Sequence, residues 1–439
     1  MASATPTNAP RGGMHARRLG WGLADQMLSS LTNFALSILV ARSVSTSSLG
    51  AFGLAFTTYT ITLGATRALC SEPLSVRYSA TASDHWEDGA VSSTGAGLVL
   101  GSLSGIGCVA AGLLLFSGTL GTSLAMLGLL MPGLIVQDTW RSAFFSRLRG
   151  SEAFMNDLVW AIAQLVFVVA LLLAGVRSTP GFILAWGGAA NVAALYGTIQ
   201  SGRFPRPQRT WRWLQRHRDL GPRFLIEFVA RNAAQSGSMY TTAAFAGLDA
   251  AGALRGAQIA LGPLNILNIG ITAPAVTEAV RIQRRSPRRM LRAVSILAAC
   301  LAAVFVIWGV AMYLLPAQVG HALLRRSWDP AHSVILPYTA VMAASGVLTG
   351  ATVGLRALAA ARRSVRARVV TGVLALAGAT AGAALDGAVG AATGLAAGLA
   401  VGGVQWWVQL RLAVEDAERA MAADAAREDA AASPAADVS

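Results

Sequence analysis

Residues 369–410 read VVTGVLALAGATAGAALDGAVGAATGLAAGLAVGGVQWWVQL and contain a single charged residue, Asp386. A helix needs about 20 apolar residues to cross the hydrocarbon layer of a bilayer. The stretch is long enough for two such helices, over 369–385 and 388–410, with only Asp386 and Gly387 between them. The sequence therefore predicts two membrane-spanning helices joined by a tight turn on the outer side of the membrane.

Similar apolar stretches fill the rest of the chain. Its 439 residues are 54% hydrophobic and 13% charged, with a mean hydropathy of +0.54, whereas soluble domains carry about 25% charged residues. We therefore predict an all-α polytopic membrane protein of about twelve transmembrane helices. The other predicted spans are 21–40, 51–70, 90–116, 120–140, 157–176, 182–200, 224–245, 254–275, 293–315 and 333–355.

The arginines orient these helices. All 35 basic residues are arginines, and most of them lie in alternate loops. Because cytoplasmic loops carry an excess of basic residues, we expect both termini in the cytoplasm. The net charge of +14 follows from these loops, so we expect no nucleic-acid partner. The arginines expected on the outer side are Arg42, Arg177, Arg255, Arg325 and Arg326.

The most basic loop divides the chain into two halves of six predicted spans. We expect a cytoplasmic segment over 1–19, an N-lobe over 20–200, a linker over 201–221, a C-lobe over 222–410 and a partly disordered cytoplasmic tail over 411–439. Two six-helix halves of the same orientation are related by a pseudo-two-fold axis along the membrane normal. We therefore predict that the helices are arranged in two six-helix lobes.

The linker carries Trp211 and Trp213 among its arginines. It has two compatible interpretations. It is an ordinary connection that obeys the positive-inside rule, or it also lies on anionic lipid head groups as a basic interfacial helix.

Several predicted spans contain regularly spaced glycines or internal prolines. Glycines four residues apart allow helices to approach closely, and prolines inside spans are expected to bend them. The glycines are Gly97, Gly101 and Gly105 in span three and Gly390, Gly394, Gly398 and Gly402 in span twelve; the prolines are Pro132, Pro263, Pro274 and Pro337.

Catalytic motifs are missing from the sequence. It has no Walker motif, no G-x-S-x-G and no H-E-x-x-H, so we expect neither an enzyme nor a cofactor nor a bound metal. Transport would then be driven by an ion gradient, the membrane potential or the substrate gradient. The coupling ion, H⁺ or Na⁺, stays open.

Polar residues recur along one face of spans one and seven. In span one they include Gln26 and Asn33, and in span seven they include Glu227, Arg231 and Gln235. Because polar faces are costly in lipid, we hypothesise that the two helices line an aqueous vestibule between the lobes. The alternative is that the uncharged residues only hold helices together.

The embedded charges carry the functional hypothesis. Arg231 lies about 10 Å into its span, and Arg67 either faces the vestibule or reaches the membrane surface, with Glu72 a possible partner. Arg42 and Arg255 would add positive charge at the outer ends. Because guanidinium groups suit phosphate and carboxylate, we expect an anionic substrate.

Acids define a second set of candidates. Asp25 and Glu227, near the cytoplasmic ends of spans one and seven, are the candidate coupling or gating groups. A further group flanks the loop between spans four and five, and we expect it to form a solvated network at the membrane surface. It consists of Asp138, Arg141, Glu152 and Asp157.

Residues 20–80 resemble the opening of bacterial polysaccharide-export and O-antigen-flippase-type proteins. These belong to the multidrug/oligosaccharidyl-lipid/polysaccharide (MOP) superfamily. The similarity lies in a first helix with small and polar residues, in the pattern A-R-x₆-L-G-x-F from Ala41 to Phe52, and in an apolar second helix that ends near Arg67, Pro73 and Arg77.

The resemblance implies two six-helix lobes around a central cavity, alternating access, and export of lipid-linked sugars for lipopolysaccharide or exopolysaccharide. It implies a multi-pass protein of the bacterial plasma membrane whose partners are the bilayer, an anionic lipid-linked saccharide and glycosyltransferases of the same pathway. We expect a monomer. The alternatives are a cation-coupled multidrug antiporter of the same fold and a membrane-embedded glycosyl-transfer enzyme.

Overall fold

The computed structural model describes residues 11–79 and 83–432, and every regular element within those ranges is a helix. The chain divides into two compact units, Met1–Val229 and Ala230–Ser439. The helices that begin in the first unit are α1 (Arg11–Ser43), α2 (Thr46–Thr66), α3 (Glu72–Tyr78), α4 (Ser83–Leu114), α5 (Gly118–Ser146), α6 (Gly150–Leu173), α7 (Thr179–Ser201), α8 (Thr210–Arg216) and α9 (Gly221–Ala260).

The second unit begins within α9. It continues with α10 (Gly262–Gln283), α11 (Pro287–Tyr313), α12 (Ala317–Leu324), α13 (Trp328–Ala357) and α14 (Ala361–Ala432). In the described ranges, eight helices are long and apolar enough to cross a bilayer, and the bent pair α9–α10 makes a ninth candidate. The prediction of an all-α polytopic membrane protein is confirmed.

The first unit is built around α5. This helix packs against α2, α4, α6 and α7, and Trp140 and Phe144 on it are almost fully buried. Helix α4 approaches it closely through the predicted glycines, because a Cβ at Gly97, Gly101 or Gly105 would meet α5 atoms within 3 Å or less. The small-residue face of span three is therefore a helix–helix contact.

The turn predicted at Asp386 and Gly387 is present inside α14. Gly387 has φ 54° and ψ −131°, a backbone conformation that only glycine adopts without strain. The two arms of α14 run back along each other, since Gly378 contacts Gly394 and Gly382 contacts Gly390. The second arm extends as helix to Ala432, because Ala, Glu and Arg in this stretch favour helix. Residues 433–439, the end of the predicted tail, lie outside the described residues.

The span predicted over 254–275 is bent, as expected from the proline inside it. The chain breaks at Leu261, and α9 and α10 meet there at 62°. Pro263 follows the break, and its missing N–H and bulky ring disfavour continuation of the preceding helix. The loop expected between spans seven and eight is instead a single non-helical residue, Gly247, at φ 83° and ψ 176°. Helices α5, α10 and α13 continue through Pro132, Pro274 and Pro337.

The end of α2 also differs from a regular helix. Residues Arg67–Ser71 form a turn of π-helix, closed by a bond from the Glu72 N–H to the Arg67 carbonyl. Pro73 explains this wider turn. Proline has no N–H to donate to the Leu69 carbonyl, and its ring would clash with that carbonyl in an α-helix. The Leu69 oxygen instead accepts a hydrogen bond from the Trp213 indole at 3.1 Å. This bond holds α8 against the π turn that follows α2.

Candidate functional site

A cavity of about 580 Å³ lies in the second unit between α9, α10, α13 and α14. Along α13 its lining runs from Tyr338 to Arg356, eighteen residues apart, which is about 27 Å of helix axis. Ligand pockets measure roughly 300–1,000 Å³, so the cavity has the size of a binding site. Its polar lining consists of Arg231, Gln235, Asn268, Thr272, Tyr338, Ser345, Thr349, Thr352, Arg356, Arg368 and Thr371.

Three guanidinium groups give this cavity a positive lining. Arg231 comes from the third turn of α9, Arg356 from the last turn of α13 and Arg368 from the start of α14. Arg368 also lies over the Trp406 ring, 5.7 Å from its centroid. No carboxylate is among the residues that line the cavity in the described part of the chain. The lining therefore favours an anionic group over a cation.

Tyr338, on the cavity lining, forms a buried polar contact. Its side chain is 3% exposed and hydrogen-bonds the side chains of Gln235 and Gln258. Arg255 donates from Nη1 to Gln258 Oε1 at 3.3 Å. Arg255 was predicted at the outer end of the vestibule between the lobes, which stays a prediction; it does not line this cavity of the second unit.

Asn268 links two walls of the cavity. Thr349 on α13 donates to Asn268 Oδ1 on α10 at 2.9 Å. The break at Leu261 starts α10 in a new direction, and this contact fixes the helix against α13. The Thr349 hydroxyl also lies 2.9 Å from the Ser345 carbonyl oxygen, so its single proton is committed to these two acceptors.

A second polar cluster lies inside the first unit and is separate from this cavity. Arg67, on the π-helical turn, forms a two-pronged ion pair with Asp138 on α5, with Nε–Oδ2 and Nη2–Oδ1 distances of 2.8 and 2.5 Å. The Asp138 side chain is 5% exposed and that of Arg67 is 42% exposed. The buried carboxylate of Asp138 on α5 thus holds the guanidinium group of Arg67 in place.

Arg141 connects the remaining acids of this cluster. Its guanidinium group pairs with Asp25 on α1 and with Asp157 on α6, the latter at 3.2 Å. Gln137 donates to Asp157 at 2.8 Å and to Asn156 at 3.1 Å. Three carboxylates therefore face two guanidinium groups among the described residues. Asp25 Oδ1 is buried without a hydrogen-bond partner in the same part of the chain.

The expectation of a solvated network is wrong for Asp138, Arg141 and Asp157. Both acids are buried, and the Arg141 side chain is 14% exposed. The reason is the central position of α5, which is covered by α2, α4, α6 and α7. Glu152 is not part of the cluster; it pairs with Arg149 near the surface at 3.2 Å.

The other candidates on α1 and α9 are distributed separately. On α1, Gln26 donates to Ser30 and Asn33 donates to the Ser29 carbonyl, so both bond within their own helix. Arg42 is exposed in the last turn of α1. Glu227 is exposed on α9, one turn before Arg231. The vestibule predicted between the lobes stays a prediction.

Several site residues escaped the sequence reasoning. Arg356 and Arg368 were counted only as loop charges, although each lies within a helix and lines the cavity. Tyr338 sits in a mostly apolar stretch, with Thr339 beside it and no charged residue nearby. Asp138 and Arg141 were named from the sequence, but their burial was not predicted, although a charged pair at the end of an apolar span needs a partner.

Comparisons with known proteins address the fold. No protein-family profile matches the sequence, and no curated protein sequence matches it. Solved structures do match. An inward-facing multidrug resistance MATE family transporter of the MOP superfamily aligns with a TM-score of 0.67 at 14% identity, covering 89% of this chain and 95% of the other. The chain shares the fold of this transporter.

Two other structures extend the MOP comparison. The lipid II flippase MurJ, in an inward closed conformation, gives a TM-score of 0.67 at 12% identity, covering 90% of this chain and 87% of its own. A MOP superfamily transporter from Pyrococcus furiosus gives 0.60 at 11% identity, covering 92% and 96%; its binding pocket is described as having reverse polarity, which suggests a different function for that protein. The MOP resemblance predicted from residues 20–80 is confirmed for the fold.

Proposed function

We propose that this chain is a membrane transporter that moves an anionic, lipid-linked saccharide across the bilayer by alternating access. The proposal also places it in the bacterial plasma membrane with both termini in the cytoplasm. The observation that carries it is the cavity of the second unit, which presents Arg231, Arg356 and Arg368 and no lining carboxylate within the described residues.

The charge of the cavity supports an anionic substrate. A guanidinium group offers a planar pair of donors that matches the oxygens of a phosphate or carboxylate. A lipid-linked saccharide carries its sugar on a phosphate or pyrophosphate, so its charged group would lie among these arginines. An organic cation would meet repulsion at the same place.

The uncharged lining supports a saccharide. Gln235, Asn268 and Thr349 offer amide and hydroxyl groups, and the Trp406 ring under Arg368 adds an apolar wall. A few placed polar groups among apolar walls are typical of pockets that orient a ligand. Sugar hydroxyls can both donate to and accept from such groups.

The polar cluster of the first unit supports ion coupling, which would also serve a cation-coupled multidrug antiporter. Three carboxylates against two guanidinium groups leave a surplus negative charge beside Asp25. We infer that Asp25 is the coupling group, with H⁺ or Na⁺ as its ion. The same feature would serve a cation-coupled multidrug antiporter, but that function would also require an acid in the substrate cavity.

The test is transport in proteoliposomes that contain the purified chain and a fluorescent lipid-linked saccharide. We expect Arg231→Ala and Arg368→Ala each to slow flipping roughly tenfold to a hundredfold, since a hydrogen bond to a charged group contributes about 1.5–3 kcal/mol. Arg285→Ala is the matched control, because Arg285 is exposed and does not line the cavity.

Two results would contradict the proposal. One is wild-type flipping in both cavity variants. The other is efflux of an organic cation that depends on Asp25 while the saccharide is not moved, which would favour the antiporter. Asp25→Asn in the same vesicles should remove the response to an imposed H⁺ or Na⁺ gradient without removing saccharide binding.

A further inference from the structure

The basic linker is fixed to the first unit. Trp213 on α8 is 3% exposed, its indole donates to the Leu69 carbonyl, and its ring stacks on Tyr78 at 5.8 Å. The Arg206 N–H donates to the Val91 carbonyl of α4 at 3.0 Å. The helix α8 therefore holds its side chains in fixed positions beside the start of α4.

A small pocket of about 80 Å³ lies between α8 and α4. Arg209, Arg212 and Arg216 line one side of it, because residues three and four apart share a helix face. Gly89 lies on the other side, where the Tyr78 ring occupies the space that a side chain would need. One water needs about 10–15 Å³ of such space, so the pocket has room for a group of several heavy atoms.

The charge of this pocket is positive. Asp88 is the single carboxylate among its lining residues in the described part of the chain, and it already pairs with Arg206 at 3.5 Å and with Arg209. Arg212 and Arg216 are exposed and have no ion-pair partner among the described carboxylates. Two guanidinium groups are thus available to an anion at the pocket mouth.

Two exposed aromatic side chains lie in the same basic linker as these arginines. Trp211 is 70% exposed and Phe204 is 80% exposed, whereas Trp213 on the same helix as Trp211 is 3% exposed. Aromatic residues with this exposure are typical of the membrane–water interface, where one end is apolar and the other is wet. Arginine-rich segments at this level attract the phosphates of anionic lipids.

We propose that the pocket formed by Arg209, Arg212 and Arg216 binds the phosphate of an anionic phospholipid at the arginine-rich face of the membrane, with Trp211 and Phe204 inserted among the neighbouring lipids. This site is distinct from the substrate cavity of the second unit. It does not depend on what the chain transports.

Native mass spectrometry of the full chain in detergent tests the site, with added phosphatidylglycerol or phosphatidylcholine as the probe. We expect preferential retention of phosphatidylglycerol. Arg212→Ala combined with Arg216→Ala should weaken it roughly tenfold to thirtyfold, since each arginine near a lipid surface contributes about 1 kcal/mol. Arg362→Ala with Arg366→Ala is the matched control, because it removes two exposed arginines elsewhere.

The outcomes separate the possibilities. Unchanged retention in the pocket variant, or an equal loss in the control, overturns the proposal. Displacement of phosphatidylglycerol by equimolar inorganic phosphate also overturns it and identifies a site for free phosphate. An unchanged elution profile and melting temperature of both variants confirms that they are folded, and Arg212→Lys with Arg216→Lys should keep most of the retention.

Discussion

At the scale of single residues, Arg141 holds the first unit together. It lies among three buried acids, and two of them, Asp25 and Asp157, depend on it for a counter-charge. Buried charges are stable only when they are paired and hydrogen-bonded. The positions of α1, α5 and α6 are therefore linked through one guanidinium group.

Replacing Arg141 tests this role. We expect Arg141→Ala to lower the free energy of unfolding by about 3–5 kcal/mol, because removal of one partner leaves buried carboxylates uncompensated. Arg149→Ala is the control, since the Arg149 side chain is 52% exposed and its pair with Glu152 is a surface pair. It should change stability by less than about 1 kcal/mol. Thermal unfolding of the purified proteins measures both, and equal melting temperatures would contradict the role of Arg141.

His217 gives the linker a pH dependence. Burial of the ring lowers the pKa of His217 below its ordinary value, and Nδ1 lies 2.9 Å from the Trp213 carbonyl oxygen. The folded protein therefore keeps the ring neutral at a pH where the unfolded chain binds a proton. Stability from this group is complete above about pH 6.5 and is lost as the pH falls below it.

The matching measurement compares melting temperatures at about pH 7.5 and about pH 5.5. We expect His217→Phe to reduce the loss of melting temperature on acidification. His85→Phe, at an exposed histidine, should leave that loss as in the wild type. Identical pH profiles for wild type and His217→Phe would show that another group is responsible.

At the scale of elements, contacts between glycines hold the arms of α14 together. A Cβ at Gly382 would overlap the Gly390 carbonyl oxygen, so the backbones touch with no side chain between them. Such an approach gains dispersion contacts that larger residues would prevent. The glycine spacing in the sequence was sufficient to predict this face.

Gly382→Ala should destabilise the paired arms by about 1–3 kcal/mol, the usual effect of overpacking. Gly403→Ala is a control on the same helix, because the nearest atom to its added Cβ would be Leu348 Cδ2 at 3.7 Å, an ordinary contact. The control should be neutral or slightly stabilising, since alanine favours helix more than glycine does. Fluorescence-detected melting of both variants decides the matter, and equal effects would exclude a specific contact at Gly382.

At the scale of the whole molecule, the sequence predicted the helical membrane fold because length, hydropathy and arginine distribution act over whole spans. Local details depended on tertiary contacts that a linear pattern does not show. Pro73 accounts for the π turn at Arg67 locally, but the hydrogen bond from Trp213 to the Leu69 carbonyl joins residues far apart in the chain. A break between spans seven and eight was predicted, but not that the single non-helical residue Gly247 makes it.

The site was predictable in part for the same reason. Arg231 and Gln235 lie on one helix face, and the structure places both on the cavity lining. Arg356 and Arg368 come from two other helices, so only packing brings them to the same space. Asp138 and Arg67 meet across two helices as well, and no local spacing predicts that pair.

The three carboxylates Asp25, Asp138 and Asp157 exceed their two guanidinium partners by one charge, and this excess has an electrical consequence. Moving one elementary charge through a membrane potential involves about 2.3 kcal/mol per 100 mV. Under the proposed function, an anion carried by the second unit and a cation held at Asp25 in the first would offset each other's work against the field if they crossed together. If the two ions crossed in opposite directions, their electrical work would add. The voltage sensitivity of turnover would therefore report whether the chain is a symporter or an exchanger.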